Sequence, residues 1–197
     1  MSWSAVGNLR GPEGPPGPEG AHGGDWRPED QNLLAANFDP LHQPTDRGLD
    51  GERVFLLKIP IREPMTVSRV VFQVWNPGSG QSTGTFAGVY SSSGVRLGVS
   101  ADVGELWYQG YQPVFLPLAA PAQLEPGWVW AALLMRLPNR PSVGTMSDNL
   151  RGANVGLPIT EARFCCAGWG WSSLPPSFDP ANENTLDNAR VCWCGLD

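Results

Sequence analysis

Two aromatic clusters are the residues best suited to bind a ligand. The segment ELWYQGY carries Trp107, Tyr108 and Tyr111 in a loop-like context, and CAGWGWSS carries Trp169 and Trp171 between glycines. Sugars stack their C–H faces on such rings, because an aromatic ring offers a broad apolar face beside a polar tip. In an extended segment Trp169 and Trp171 share one face. The sequence therefore predicts packing in the core or at a trimer interface for these rings, and a glycan-binding surface is the alternative that would give them a function.

Residues for common catalytic mechanisms are sparse. His22 lies in a proline- and glycine-rich stretch and His42 lies between two prolines, so neither is placed for a serine or cysteine triad. The chain lacks the H-E-x-x-H, G-x-S-x-G and EF-hand motifs. Carboxylates that a glycosidase could use are present but are typical of solvated turns: Asp102, Glu105, Glu125, Asp148, Glu161 and Asp179. We predict a protein without enzymatic activity and without a cofactor.

Four cysteines lie in the last third of the chain. The adjacent pair Cys165-Cys166 and the pair Cys192-x-Cys194 match zinc-ligand spacing poorly, so no metal site is expected. Cys192 and Cys194 alternate about Trp193 and share a face in a strand, which favours buried thiols. One or two disulfides remain the alternative.

Composition and charge exclude other classes of partner. The chain has 197 residues, 16% of them charged, and a net charge of −6 without a basic stripe, so we expect no nucleic acid. The longest apolar run, 128–135, is far shorter than the roughly 20 residues of a membrane span, so we expect no membrane insertion. The first residues, MSWS, lack the basic and apolar parts of a signal peptide.

A collagen-like repeat lies near the start of the chain. Glycine recurs at every third position, at Gly11, Gly14, Gly17, Gly20 and Gly23, with four prolines between. Three polyproline-like chains wound together leave room only for glycine at their axis. The repeat therefore predicts a triple-helical stem over 11–24, with a flexible linker as the alternative. Because four triplets cannot hold three chains together, we predict a homotrimer nucleated elsewhere.

The segments around the stem divide the chain further. Residues 1–10 form a leader in which Trp3, Val6 and Leu9 recur every three positions, and it is too short for a stable helix alone. We expect it to pack on another protein or on its own copies. Residues 25–52 are interpreted as a neck, with a short helix over 29–38 that turns Leu33 and Leu34 inward.

From residue 53 the pattern has a period of two and predicts an all-β domain over 53–197. The strongest strand, TVSRVVFQVW, places Val70, Phe72 and Val74 on one face and Val67 on the other with Arg69, Val71, Gln73 and Trp75. The segments TFAGVY and VRLGVS flank a hairpin turn, and YQPVFLPL is an edge strand because of its prolines.

The segment LEPGWVWAALLMRL is predicted to be the most buried strand, because the Pro126-Gly127 turn precedes it and it carries two tryptophans. Its Ala, Leu and Met residues leave a helix as the alternative. Its two faces carry Val129, Ala131, Leu133, Met135 and Leu137 on one side, and Trp128, Trp130 and Leu134 on the other. A long loop over about 139–156 follows, and ITEARFCCAGWGW and NARVCWCGL close the domain. Short strands separated by turns indicate an antiparallel β-sandwich, jelly-roll-like in type.

The order of these parts resembles actinobacteriophage minor tail proteins and tail fibres. SAVGNLRGPEGPPGPEG is similar to their tryptophan-containing N-terminus, which runs through VGNLRGP into collagen-like triplets. The segments MTVSRVVFQVW, FAGVYSSSGVRLGVS and LEPGWVWAALLM are similar to the β-sandwich domains at their distal ends. The resemblance covers about 4–24 and 65–137 and leaves out the cysteine-rich last sixth.

The resemblance implies a trimeric virion structural protein at a tail tip or on a fibre, assembled in the host cytoplasm. The leader would attach it to other virion proteins, and the sandwich would face the host envelope. A carbohydrate-binding module for host adhesion, or a capsid (head) fibre or decoration protein, are the alternatives.

Overall fold

Two antiparallel sheets form the described part of the chain. The structure, a computed structural model, describes residues 26–43, 45–48, 51–77, 83–108, 110–136, 141–146, 164–181 and 191–197. Within these ranges the chain forms eleven strands and three short 3-10 helices, at Pro28–Gln31, Pro40–His42 and Gly104–Tyr108. The predicted all-β class is confirmed for these residues, and the predicted stem lies outside them.

The first sheet is organised around one long central strand. Its members are β1 (Ala35–Ala36), β2 (Thr45–Gly48), β4 (Met65–Asn76), β7 (Pro113–Leu124), β9 (Ser142–Thr145) and β11 (Cys194–Leu196). β7 runs along one edge of β4, and β11 and β9 follow each other along the opposite edge. β1 extends the sheet beyond β11 and β2 extends it beyond β9. Among the described residues β7 makes its ladder with β4 alone, as predicted for an edge strand with two prolines.

The second sheet has the order β10-β3-β8-β5-β6. Its members are β3 (Arg53–Ile61), β5 (Phe86–Tyr90), β6 (Arg96–Val99), β8 (Gly127–Leu134) and β10 (Phe164–Trp169). β5 and β6 form the predicted hairpin. β8 is a strand, as its alternation predicts, and pairs with β3 over its whole length.

The main core lies between the two sheets. Val129, Ala131 and Leu133 of β8 meet Phe72 and Val74 of β4 in one buried cluster, as the period of two predicts. The second face of β8, with Trp130 and Leu134, packs into a separate apolar layer on the outside of the second sheet. Both sheets thus bury a large part of both faces.

Val67 corrects the predicted alternation of β4. It lies in the main core with Val70, although strict alternation puts it on the other face. The register against β7 shifts between Val67 and Arg69, and the N–H groups of Ser68 and Arg69 both donate to the carbonyl of Asp197, so that two residues of β4 oppose one, as in a β-bulge. A bulge adds one residue to a strand and reverses the face of every residue beyond it.

Part of the predicted neck belongs to the sandwich. β1 pairs with β11, and β2 pairs with β9, so residues 35–48 contribute two strands to the first sheet. The predicted helix over 29–38 is wrong: a 3-10 turn ends at Asn32, whose backbone is left-handed. Leu33 is buried as predicted, but Leu34 is exposed. The predicted loop over 139–156 likewise contains the buried strand β9.

Residues 26–38 cover the outer face of the first sheet. Leu33 and Ala36 pack on Val71 and Trp193, and the rings of Trp26 and Phe38 lie against this cluster. No helix in the described ranges has the length and hydropathy needed to cross a membrane.

Candidate functional site

Trp107 packs in the core, one of the two interpretations that the sequence left open, so its assignment as a glycan-binding candidate is wrong. Its side chain is fully buried, and its ring centroid lies 5.9 Å from that of Phe72 in the main core. The carboxylate of Asp102 accepts hydrogen bonds from the backbone N–H groups of Thr85 and Gly104, at 3.1 Å each. This anchors the start of the 3-10 turn that carries Trp107 inward, and a buried indole has no face for a sugar.

The other aromatic candidates divide into two groups. The side chains of Tyr108 and Trp169 lie outside the described part of the structure, so their predicted role is untested. Tyr111 and Trp171 are described and exposed, at 79% and 37%. These two exposed rings are the glycan-binding candidates that remain open for a ligand.

Trp171 is held by the backbone at the start of β3. The N–H groups of Gly170 and Trp171 donate to the carbonyl oxygen of Glu52, at 3.0 and 3.3 Å. Gly170 has a φ of +82°, in the left-handed region that a side chain disfavours, and this turns the chain out of β10. The Glu52 N–H in turn donates to the carbonyl of Met135, at 3.0 Å. Trp171 is therefore tied to β3 and to the end of β8.

An ion pair lies at the same place. A guanidinium nitrogen of Arg136 lies 3.6 Å from a carboxylate oxygen of Glu52, and both side chains are substantially exposed. Trp171 is joined to Glu52 through the backbone, so an indole, a carboxylate and a guanidinium belong to one end of the sandwich, where they offer a stacking face and donors and acceptors for hydroxyl groups. We call Trp171, Glu52 and Arg136 the tryptophan edge.

A groove with a volume of about 710 Å³ lies elsewhere on the sandwich. Its walls come from three parts of the chain: the 3-10 turn at 26–29, the segment 34–42 and the connection 60–65. Residues of these walls include Trp26, Arg27, Glu29, Leu34, Phe38, Asp39, His42, Pro60, Arg62, Glu63 and Met65. The sequence carries no signal for this groove, because its residues come together only when 26–42 folds back on the first sheet.

The groove and the tryptophan edge lie at opposite ends of the sandwich. Glu52 immediately precedes β3, whereas Pro60 near the other end of that strand lines the groove. At ~3.3 Å per residue the eight steps between them span about 26 Å. Tyr111 is also remote from the groove, because it precedes the end of β7 that pairs with Gln73, while the groove residue Met65 pairs with the other end.

The four cysteines are thiols, and all four side chains are buried. Cys192 and Cys194 both point into the main core, as their alternation predicts. Burial raises the pKa of the Cys194 thiol well above its usual value, and the neighbouring Cys192 adds to the effect. In the described ranges no three histidine, cysteine, aspartate or glutamate side chains are grouped closely enough to hold a metal ion.

The predicted stem glycines and leader residues lie outside the described ranges: Gly11, Gly14, Gly17, Gly20, Gly23, Trp3, Val6 and Leu9. Their roles stay predictions. Comparison with protein-family models and with curated proteins found no match to this chain.

Proposed function

We propose that this chain is a bacteriophage virion structural protein, a homotrimeric minor tail protein or tail fibre that presents its β-sandwich at the end of a short collagen-like stem. The observation that carries the proposal is the set of five in-phase glycines followed directly by an all-β domain. The leader attaches to other virion proteins, the stem spaces the domain from them, and the sandwich holds the trimer together. A jelly-roll-like topology of the β-sandwich is part of this proposal.

The way the chain enters the sandwich supports this arrangement. The N–H of Leu34 donates to the carbonyl of Leu196 at 2.9 Å, and the N–H of Asn37 donates to the carbonyl of Cys194 at 3.1 Å. The Asn37 side-chain amide also donates to the carbonyl of Cys192, at 2.7 Å. The segment that follows the predicted stem is thus fixed to the sandwich by several hydrogen bonds, which is consistent with a spacer that carries the domain.

The oligomeric state of the purified full chain tests the proposal. Mass photometry is expected to show a particle of three chains of 21.2 kDa each. A monomer or a dimer at micromolar concentration refutes the trimer.

A substitution in the repeat tests the stem itself. Gly17→Ala puts a methyl group at the crowded axis of the triple helix and is expected to speed thermolysin cleavage within 11–23. The matched control is Glu19→Ala, at a position of the same repeat where side chains point outward. Equal cleavage of both variants and of the unmodified chain shows that the segment is not a triple helix.

The location of the protein on the virion distinguishes a tail protein from a head fibre or decoration protein. Gold-labelled antibody against the sandwich is expected to mark the tail tip or a tail fibre in electron micrographs. Labelling of the capsid identifies a head fibre or decoration protein instead, and unlabelled virions refute the virion role.

Host-glycan binding is the second candidate function, and the tryptophan edge favours it. Trp171 is exposed, and its backbone N–H donates to Glu52, a member of an ion pair, at the end of the sandwich opposite the groove that Trp26 lines. A fibre needs its recognition surface at the end remote from its attachment. We infer that Trp171 stacks on a sugar of the host envelope while Glu52 and Arg136 bind its hydroxyl groups.

The glycan proposal predicts that Trp171→Ala weakens binding to isolated host cell-wall polysaccharide about tenfold, the equivalent of about 1.4 kcal/mol. Leu97→Ala is the matched control, since Leu97 is similarly exposed, at 41%, and lies on β6 away from the edge. Isothermal titration at one salt concentration measures both variants. Unchanged binding in Trp171→Ala, or no binding by the unmodified chain, counts against the role.

A further inference from the structure

We propose that the groove at the stem end of the sandwich is occupied by a second copy of this chain, so that the groove and the neighbouring Leu41 form the contact between protomers. The inference rests on the proposed trimer and adds to it the surface that holds the three domains together. Four observations support it: the length of chain between stem and domain, the anchoring of 26–38, an exposed leucine and the mixed charge of the groove.

The tether between stem and domain is short. Only Gly24 and Asp25 separate the last in-phase glycine, Gly23, from Trp26, where the sandwich begins. Three residue steps span at most about 11 Å. Since the three chains of a triple helix wind around one axis, the three copies of Trp26 lie close to that axis. Trp26 lines the groove, so the proposed triple helix brings the three grooves close to its axis.

The domain is not free to turn away from the axis at this point. The N–H of Leu33 donates to the carbonyl of Pro28 at 3.0 Å, which closes the first turn after Trp26. The indole N–H of Trp193 donates to the carbonyl of Phe38 at 3.0 Å, and the Trp26 ring packs on the same cluster. The short tether therefore directs the whole groove, and not only residue 26, toward the other copies.

The surface beside the groove carries apolar side chains that a single chain leaves in solvent. Leu41 is 85% exposed, the highest value among the large apolar side chains that are exposed in the described ranges. It lies between the groove residues Asp39 and His42, in a turn that the Asp39 carboxylate fixes by accepting from the Leu41 N–H at 2.8 Å. Leu34, at 40% exposed, is in the wall itself. Leu41 and Leu34 therefore supply the apolar part of the proposed contact.

The charges around the groove suit a copy of the same chain. Arg27 and Arg62 are cationic, and Glu29, Asp39 and Glu63 are anionic. In a threefold ring each contact joins two different faces of neighbouring protomers, so a surface that carries both signs can offer each charge to the opposite charge of the next copy, whereas a polyanionic ligand needs a cationic excess. A second protomer can cover the exposed apolar side chains of this surface and pair with its charged side chains.

Leu41→Asp in the full chain tests the contact. Because Leu41 makes few contacts of its own, the variant is expected to keep the circular dichroism spectrum of the unmodified chain and to raise the concentration of half-dissociation at least tenfold in analytical ultracentrifugation. Tyr111→Asp is the matched control, since Tyr111 is 79% exposed at the opposite end, and it is expected to leave the trimer unchanged.

A cross-linking experiment tests the same contact between protomers and leaves Leu41 in place. All four native cysteines are buried, so one introduced cysteine provides the accessible thiol. Glu63→Cys, in the wall of the groove, is expected to give cross-linked chains with a flexible bismaleimide. Ser172→Cys, exposed beside Trp171 at the other end, is expected to give none.

The outcomes separate this inference from the proposed function. A monomeric unmodified chain refutes the trimer and with it the contact. A trimer that resists Leu41→Asp and is not cross-linked through Glu63→Cys refutes the contact alone and leaves the groove to a glycan or another virion protein. Cross-links through Ser172→Cys in place of Glu63→Cys also refute it, because they put the interface at the wrong end.

Discussion

Replacing Gly144 with alanine places a methyl group where another side chain already lies. Gly144 is in the middle of β9, opposite Asp46 of β2. A Cβ at this position overlaps the side-chain oxygen of Gln43 and lies 2.7 Å from Gln43 Cδ and 2.9 Å from Trp75 Nε1. Gln43 is itself buried, at 6% exposed, so its side chain has little room to move aside.

The cost follows from this overlap. Forcing an extra methyl group into a packed site costs about 1–3 kcal/mol, because neighbouring side chains leave their preferred rotamers or the backbone shifts. We expect about 2 kcal/mol for Gly144→Ala, or a fall in Tm of roughly 4–8 °C for a chain of this size. The substitution also pushes Gln43 away from β9, so the segment before β2 loses its packing.

Gly48→Ala in the same pair of strands is the matched control. A Cβ on Gly48 meets no atom within 4 Å, and its backbone is not left-handed. Alanine there restricts the unfolded chain and is expected to leave stability unchanged or to raise it by about 0.4–1 kcal/mol. Urea unfolding followed by tryptophan fluorescence measures both variants, at one protein concentration so that any oligomerisation contributes equally.

The double variant Gln43→Ala/Gly144→Ala tests whether the cost of Gly144→Ala comes from the overlap of the new methyl group with the Gln43 side chain. Removing the Gln43 side chain opens the space for the new methyl group, so the two substitutions together are expected to cost less than their sum. A Gly144→Ala variant within about 0.5 kcal/mol of the unmodified chain refutes the packing of the 43–48 segment against β9, since surface substitutions fall in that range.

Asn37→Ala removes one hydrogen bond to the carbonyl of Cys192 and one from the N–H of Cys194, and is expected to lower the free energy of unfolding in urea by about 1–3 kcal/mol. A loss below about 0.5 kcal/mol contradicts a stabilising role for these two hydrogen bonds. Thiol reagent is expected to label none of the four buried cysteines in the native protein and all four in urea, and rapid native labelling contradicts their burial. Because burial raises the pKa values of Cys194 and Tyr90, the folded chain keeps protons that the unfolded chain loses above about pH 8.5. The free energy of unfolding is then highest below that pH and falls as the pH rises to 10. The fall is expected to be steeper in the unmodified chain than in Cys194→Ala. A urea midpoint that does not change over this pH range contradicts the prediction.

Local patterns were sufficient to predict the strands of the core. The faces of β8 follow directly from alternation, with Val129 and Leu133 in the main core and Trp130 on the outside. The β5–β6 hairpin follows from its turn residues. Each depends on neighbours within a few positions along the chain, so the sequence contains the information.

The candidate site was predicted only in part. Trp171 follows Gly170 and is exposed, in agreement with the prediction from its flanking glycine that the ring is open to a ligand. Trp107 is flanked by Leu106 and Tyr108 instead and is buried against Phe72, because the turn that carries it is anchored by Asp102 and folds inward. The local sequence left core packing and a binding surface open for both tryptophans.

The sequence by itself determined the all-β class, the inward faces of β4 beyond its bulge and of β8, and the shared face of Cys192 and Cys194, because side-chain direction in a strand repeats every two residues. Only the tertiary structure decided that residues 35–48 join the first sheet, that the bulge turns Val67 inward, and that a groove forms near Trp26. Those features depend on pairs far apart in the chain, such as Asn37 and Cys192, which are 155 positions apart. No local pattern encodes which distant strand edge a segment will meet, since that choice is made by the packing of the whole domain.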